Sequence, residues 1–76
     1  MNRLDNSECL HDFGKYIKNA RKKRKLKQAD VAEMIGVTQS YYSLVERGER
    51  NVDLFFALKI CNALNIDLSK FIRQYN

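Results

Sequence analysis

The chain has 76 residues, with 14 Lys plus Arg against 9 Asp plus Glu and a formal charge of +5. That length holds one small domain, whose core must be compact because a domain of this size buries only about 60% of its unfolded surface. No apolar run is long enough to span a bilayer, and the N-terminus lacks the basic and apolar regions of a signal peptide, so the expected location is the cytoplasm.

The basic balance suggests a polyanionic partner. A soluble domain with solvated lysines accounts for the charge equally well, so its clustering has to decide. Residues 1–8 read as a flexible polar arm, and residues 9–76 as a single domain. A first helix is predicted to start between Ser7 and Asp12, both usable N-caps. Leu10, Phe13, Ile17 and Ala20 form its core stripe, and Gly14 permits close packing there. The helix then turns basic through Lys18, Arg21, Lys22, Lys23, Arg24 and Lys25. Cations complement a helix C-terminus, but six of them on little more than two turns repel one another unless a polyanion compensates, which favours phosphate proximity, with Lys23 among the phosphate ligands. A basic amphipathic helix on an anionic membrane is the weaker alternative.

Gln28 to Arg47, QADVAEMIGVTQSYYSLVER, reads as two short helices joined by a tight turn. Ala29, Val31, Ala32 and Ile35 make an apolar stripe on the first. Gly36 falls where a helix ends in a left-handed residue, Val37 tucks under the turn, and Thr38 is placed to cap the next helix. That helix runs from Gln39 to about Arg47, and Gly48 stops it. At about 100° per residue Tyr41, Tyr42 and Val45 share one side, and Gln39, Ser40, Ser43 and Arg47 the other. The second face carries amides, hydroxyls and a cation but no carboxylate, as a helix lying in a DNA major groove requires.

Beyond the turn at Gly48-Glu49-Arg50-Asn51, Arg47, Arg50 and Asn51 line up as phosphate ligands, and Arg50 can also reach a guanine edge bidentately. Asp53 caps a fourth helix with the stripe Leu54, Ala57, Leu58, Cys61 and Leu64. Phe55 and Phe56 lie about 100° apart, so only one of them can reach the core. Asn65 ends the helix in a left-handed conformation. Ile66 packs, and Asp67 caps a last short helix bearing Leu68, Phe71, Ile72 and Tyr75. The apolar surplus predicts a C2 dimer through helices four and five, with Phe55, Phe56, Leu58, Phe71 and Tyr75 at the interface.

The helix-turn-helix segment, extended by E-R-N-V-D-L and L-K-I-C-N-A-L-N-I-D-L, resembles the lambda-repressor/Cro-like (XRE) helix-turn-helix family over roughly residues 13–72. The resemblance implies a compact, all-α, five-helix domain with its helix-turn-helix at helices 2 and 3. It implies that Arg21 and Glu46 pair structurally between the first and third helices, and that Gln28 contacts a phosphate or an adjoining side chain. It directs Gln39, Ser40, Tyr41 and Ser43 toward DNA and Tyr42 inward. Lys25 and Lys27 depart from the family, which carries a glycine and a Ser or Thr cap there; Lys27 adds charge beside the expected DNA backbone and is counted with the phosphate ligands. Leu44 replaces a long polar residue, and contact with a thymine methyl and packing on the rim stay equally open. The exit E-R-G-E-R-N-V and the size of the chain also resemble the controller proteins of restriction–modification systems.

No enzyme chemistry is visible. Cys9, His11 and Cys61 are read as unrelated residues rather than metal ligands, with Cys61 a core residue. No Gly-rich phosphate loop and no nucleophile–base pair appear, and neither a cofactor nor a small-molecule ligand is implied. The expected function is sequence-specific regulation of transcription: double-stranded DNA is bound by a homodimer on a roughly palindromic operator, with no membrane role. Base choice falls to Gln39, Ser40, Tyr41, Ser43 and Arg50, and phosphate contact to Lys23, Lys27, Gln28, Arg47 and Asn51. The competing expectation is a protein-interaction module, an antitoxin or adaptor on the same fold.

Overall fold

A computed structural model describes residues 6–75, without the side chains of Asn6 and Tyr75. Its elements are α1 (Asn6–Lys23), α2 (Gln28–Ile35), α3 (Gln39–Glu46), α4 (Leu54–Ala63) and α5 (Leu68–Ile72), followed by one 3-10 turn at Arg73–Tyr75. The all-helical architecture matches the expectation. The start of α1 does not: Asn6, Ser7 and Glu8 are already helical, so the expected arm is shortened and the residue capping α1 lies outside the described residues.

Four helices end in the same way. After α1, the N–H of Lys25 donates to Lys22 O at 2.9 Å and that of Leu26 to Arg21 O at 3.2 Å. The same pair of bonds recurs at Gly36 and Val37, at Gly48 and Glu49, and at Asn65 and Ile66. This is the Schellman closure, which satisfies the last carbonyls of a helix and demands a left-handed residue at its centre. Lys25, Gly36, Gly48 and Asn65 have φ of 58°, 76°, 73° and 56°. At three of these turns the following residue is apolar, and Leu26, Val37 and Ile66 each fold back onto the core. The starts of α3, α4 and α5 are held by side chains: Thr38 accepts from Tyr41 N at 3.1 Å, Asp53 from Phe56 N at 2.8 Å, and Asp67 from Ser69 N at 3.0 Å. At α2 the bond runs the other way, with the N–H of Lys27 donating to the Asp30 carboxylate at 2.8 Å.

The core takes Phe13, Ile17 and Ala20 from α1, Val31, Ala32 and Ile35 from α2, Tyr42 and Val45 from α3, Ile60, Cys61 and Leu64 from α4 and its end, and Phe71 from α5. Three expectations are corrected. Ala29 is exposed, because the buried side of α2 begins at Val31. On α4 the buried face is turned toward Ile60, leaving Leu54 and Leu58 exposed. Phe71 is core rather than interface: its ring meets Phe13 edge-on at 5.4 Å and Tyr16 at 5.5 Å, a socket that only the folded chain assembles. Tyr16 also donates its hydroxyl to Asp67 O at 2.7 Å, fastening the start of α5 to α1. The free thiol of Cys61 is buried, and desolvation, with a smaller push from Asp67, raises it to about 11.

Candidate nucleic-acid interface

α3 is held against the scaffold from one side only. Tyr42, Val45 and Glu46 are buried, while Gln39, Ser40 and Arg47 are exposed and Ser43 is half-buried. Gln39, Ser40, Ser43, Leu44 and Arg47 line a single open recess, and none of these five side chains is acidic. The sidedness follows from the sequence order: each aromatic or branched residue that reaches the core lies three or four places from the next, and the polar residues take the remaining angles. Leu44 stands half-buried in this recess.

Glu46 fixes the helix. Its carboxylate accepts two hydrogen bonds from Arg21, at 2.7 and 3.1 Å, and a third from the Gln28 amide at 2.9 Å. Arg21 donates once more, to Leu26 O at 2.8 Å. The end of α1 and the start of α2 therefore meet on one carboxylate of α3. Burial by itself raises the Glu46 carboxyl, but the bonds from Arg21 and Gln28 outweigh it and hold the group below its ordinary value. The Tyr42 hydroxyl is buried beside the pair and is pushed far up, first by desolvation and then by Glu46. Gly14 lets α1 approach this end of α3: a Cβ there would meet the Glu46 carbonyl carbon at 2.8 Å and the Val45 carbonyl oxygen at 2.9 Å. Of the two partners expected for Gln28, the structure supplies the neighbouring side chain, a bond that uses one of its two amide N–H groups.

The remaining residues fall into separate groups. Arg47 donates to Ser43 Oγ at 3.2 Å and pairs with Glu49 at 3.3 Å, both in solvent, where such bonds contribute little. Arg50 lies with its guanidinium carbon 5.3 Å from the centre of the Tyr41 ring, and Tyr41 packs on Phe56 at 5.7 Å in a T-shaped contact. Tyr41, Arg50 and Asn51 line a second recess together with Ser7, Leu10, Gly48 and Glu49. Lys27 is exposed. Lys23, also exposed, borders a third cleft with Tyr16, Asn19, Asn65 and Lys70 rather than the recess on α3. Arg24 donates to Ala20 O at 3.3 Å and Asn65 O at 3.1 Å, so one cation of the basic run serves the join between α1 and the end of α4. The Tyr41–Phe56 contact was not anticipated; the two residues lie 15 positions apart on different helices, where periodicity carries no signal.

Of the large apolar side chains left outside, Leu54, Phe55, Leu58 and Ile72 belong to α4 and α5, and Met34 to α2. Leu54, Leu58, Ile66, Leu68 and Ile72 frame a groove between α4 and α5. Phe55 is 78% exposed, whereas Phe56 is half-buried against Tyr41, so only one of the adjacent phenylalanines faces solvent fully. No helix among the described residues is long and apolar enough to cross a membrane.

Comparison with known proteins agrees with this geometry. The control protein C.MunI of a Mycoplasma species is 42% identical over 59 residues, which cover 76% of this chain and 80% of that protein. The uncharacterised HTH-type transcriptional regulator YqaE of Bacillus subtilis is 31% identical over 61 residues; the match takes in 80% of this chain but only 53% of that longer relative. The crystal structure of the restriction–modification controller protein C.AhdI from Aeromonas hydrophila superposes with a TM-score of 0.80 at 35% identity, covering 90% of this chain and 99% of that one. Residues 17–71 match the helix-turn-helix family model, and the chain belongs to the XRE-type helix-turn-helix family.

Proposed function

We propose that this protein is a sequence-specific DNA-binding regulator of transcription, of the restriction–modification controller kind, acting as a homodimer in the cytoplasm. The observation that carries the reading is the acid-free face of α3, with Gln39, Ser40, Ser43 and Arg47 lining one open recess while the opposite face is locked by Tyr42, Val45 and Glu46. The reading is supported by the identity with C.MunI and C.AhdI, named as a control protein and a controller protein. Two α3 helices related by a two-fold enter successive major grooves about 34 Å apart and read a roughly palindromic operator. Gln39 is suited to adenine, to which its amide donates and accepts at once, and Arg50 to guanine. Ser40, Tyr41 and Ser43 complete the reading set, Lys23, Lys27 and Arg47 neutralise phosphates, and the Asn51 and Gln28 amides donate to phosphate oxygens. Leu54, Phe55, Leu58 and Ile72 supply the apolar face that a second copy covers. An adaptor or antitoxin role leaves the acid-free α3 face without a purpose and is not favoured.

Salt titration on random duplex DNA, followed by selection from a randomised duplex library, tests this reading. Affinity should fall steeply with salt, and one roughly palindromic sequence should be enriched. Gln39→Ala should then cost about 1–3 kcal/mol on the enriched duplex and little on random DNA. Absence of binding at low salt overturns the assignment, and equal losses on both duplexes remove Gln39 from base reading.

A further inference from the structure

Phe56 belongs to α4, next to the exposed Phe55, yet its ring turns away from that apolar face. Its backbone is locked by the Asp53 cap, which accepts the Phe56 N–H at 2.8 Å. From this fixed point its ring meets Tyr41 at 5.7 Å with the planes 62° apart, and the Tyr41 ring in turn lies under the Arg50 guanidinium at 5.3 Å. Three residues from α3, the α3–α4 turn and α4 thus form one column with an exposed cation at its end.

An arginine on a free loop loses much of its rotamer entropy when it is fixed at a binding site. A guanidinium held over an aromatic face samples fewer orientations before binding, and a cation–π contact needs no N–H donor, so its edge can still form two parallel bonds to a planar acceptor such as a guanine edge. A column of this kind lowers the ordering cost paid on binding.

We infer that Phe56 is a positioning residue for base reading: it props the Tyr41 ring, which presents Arg50 to DNA in a preset orientation. The inference rests on the DNA-binding reading above and deepens it. Phe56 acts through Arg50, so its removal weakens recognition of the chosen sequence rather than general attraction to phosphates. It also ties α4, which carries the apolar face, to the residue that reads bases.

Five proteins test this: wild type, Phe56→Leu, Phe56→Tyr, Arg50→Ala, and the double variant Phe56→Leu/Arg50→Ala, which closes a cycle. The probes are the duplex that wild type enriches from a randomised library and a random-sequence duplex. Phe56→Leu should weaken binding to the enriched duplex about 2- to 5-fold, the worth of an exposed cation–π contact, and leave the random duplex and the sedimentation dimer constant unchanged. Phe56→Tyr, which keeps the ring, should restore affinity, and in the Arg50→Ala background Phe56→Leu should have no effect. In the free protein, the Arg50 δ-proton resonances should lie upfield under the Tyr41 ring and relax toward random-coil positions in Phe56→Leu. Unmoved Arg50 resonances, an equal loss with and without Arg50, or a loss that tracks a weaker dimer each overturn the inference. A wild-type protein that enriches no sequence overturns the DNA-binding reading instead, and the Arg50 resonances still decide whether the column exists.

Discussion

Arg21 and Glu46, 25 residues apart in sequence, meet in a two-bond ion pair whose side chains are 10% and 2% exposed. Each leaves water, so neither is tolerable alone: removing one partner from such a pair strands a buried charge at about 3–5 kcal/mol, whereas replacing both with apolar groups is often neutral. Glu46→Ala should therefore lower the urea midpoint far more than the double variant Arg21→Met/Glu46→Leu. The double variant should still lose DNA affinity, because α3 is no longer tied to α1 and α2. Equal destabilisation by the single and double variants would show that the two side chains hold something other than each other.

The same carboxylate sets the acid limit of stability. Its pKa in the folded state lies below the ordinary 4.5, the bonds from Arg21 and Gln28 having outweighed the effect of burial. Its contribution is complete above about pH 4.5 and is lost as pH falls through the depressed value. The alkaline limit has the opposite sign. Burial raises Cys61 from 9.0 to about 11 and raises Tyr42 from 10.0, so what they contribute is complete below pH 9 and is lost as pH rises through about 11 and beyond. Urea midpoints should be nearly flat between about pH 5 and 9 and fall on both sides. Cys61→Ala should move the onset of the alkaline fall upward, and an unmoved onset would exclude the thiol.

Much of this molecule is legible in its sequence because the signals are local. Gly36, Thr38, Asp53 and Asn65 each solve a problem of their own helix end, and the structure places all four as their chemistry requires. The phase of α4 is a different kind of question. Leu54, Phe55, Phe56, Ala57, Leu58, Ile60 and Cys61 surround most of the helix, so periodicity alone admits more than one buried face. The choice of Ile60 over Leu58 is made by the helices that α4 meets. Phe71 was misplaced for the same reason, since its socket is built from Phe13 and Tyr16 more than fifty residues earlier. On α3 the exposed polar face was readable, but the Arg50–Tyr41–Phe56 column, which crosses from one helix to another, was not.

Lys25 is both a cation of the basic run and the residue that stands where the resembled family carries a glycine, and it occupies the left-handed centre of a Schellman turn at φ 58°. A side chain there costs about 1–2 kcal/mol, and glycine returns about 0.5–1 kcal/mol of that as unfolded-state entropy. Lys25→Gly should stabilise the fold by about 0.5–1 kcal/mol and raise Tm by about 2–8 °C, as scanning calorimetry would read. Asn65→Gly should gain less, because asparagine tolerates that conformation better. Loss of stability in Lys25→Gly would mean that the lysine side chain makes a contact worth more than the strain it bears.

The apolar face of α4 and α5 makes the last prediction. Leu54, Phe55, Leu58 and Ile72 are 58%, 78%, 45% and 47% exposed, a cluster that a small monomer in water does not ordinarily present. If a second copy covers it, a carboxylate at its centre must lose its water on assembly without gaining a partner. Leu58→Asp should then sediment as a monomer at concentrations where wild type is dimeric, with helical content intact because Leu58 is outside the core. Operator binding should weaken about 10²–10⁴-fold, since the second half-site is no longer reached intramolecularly. Phe71→Ala is the contrasting variant: it empties a core site and should lower Tm before it alters the dimer. A Leu58→Asp protein that stays dimeric, or a monomer with undiminished operator affinity, would move the self-association face elsewhere and leave this apolar cluster for a different partner.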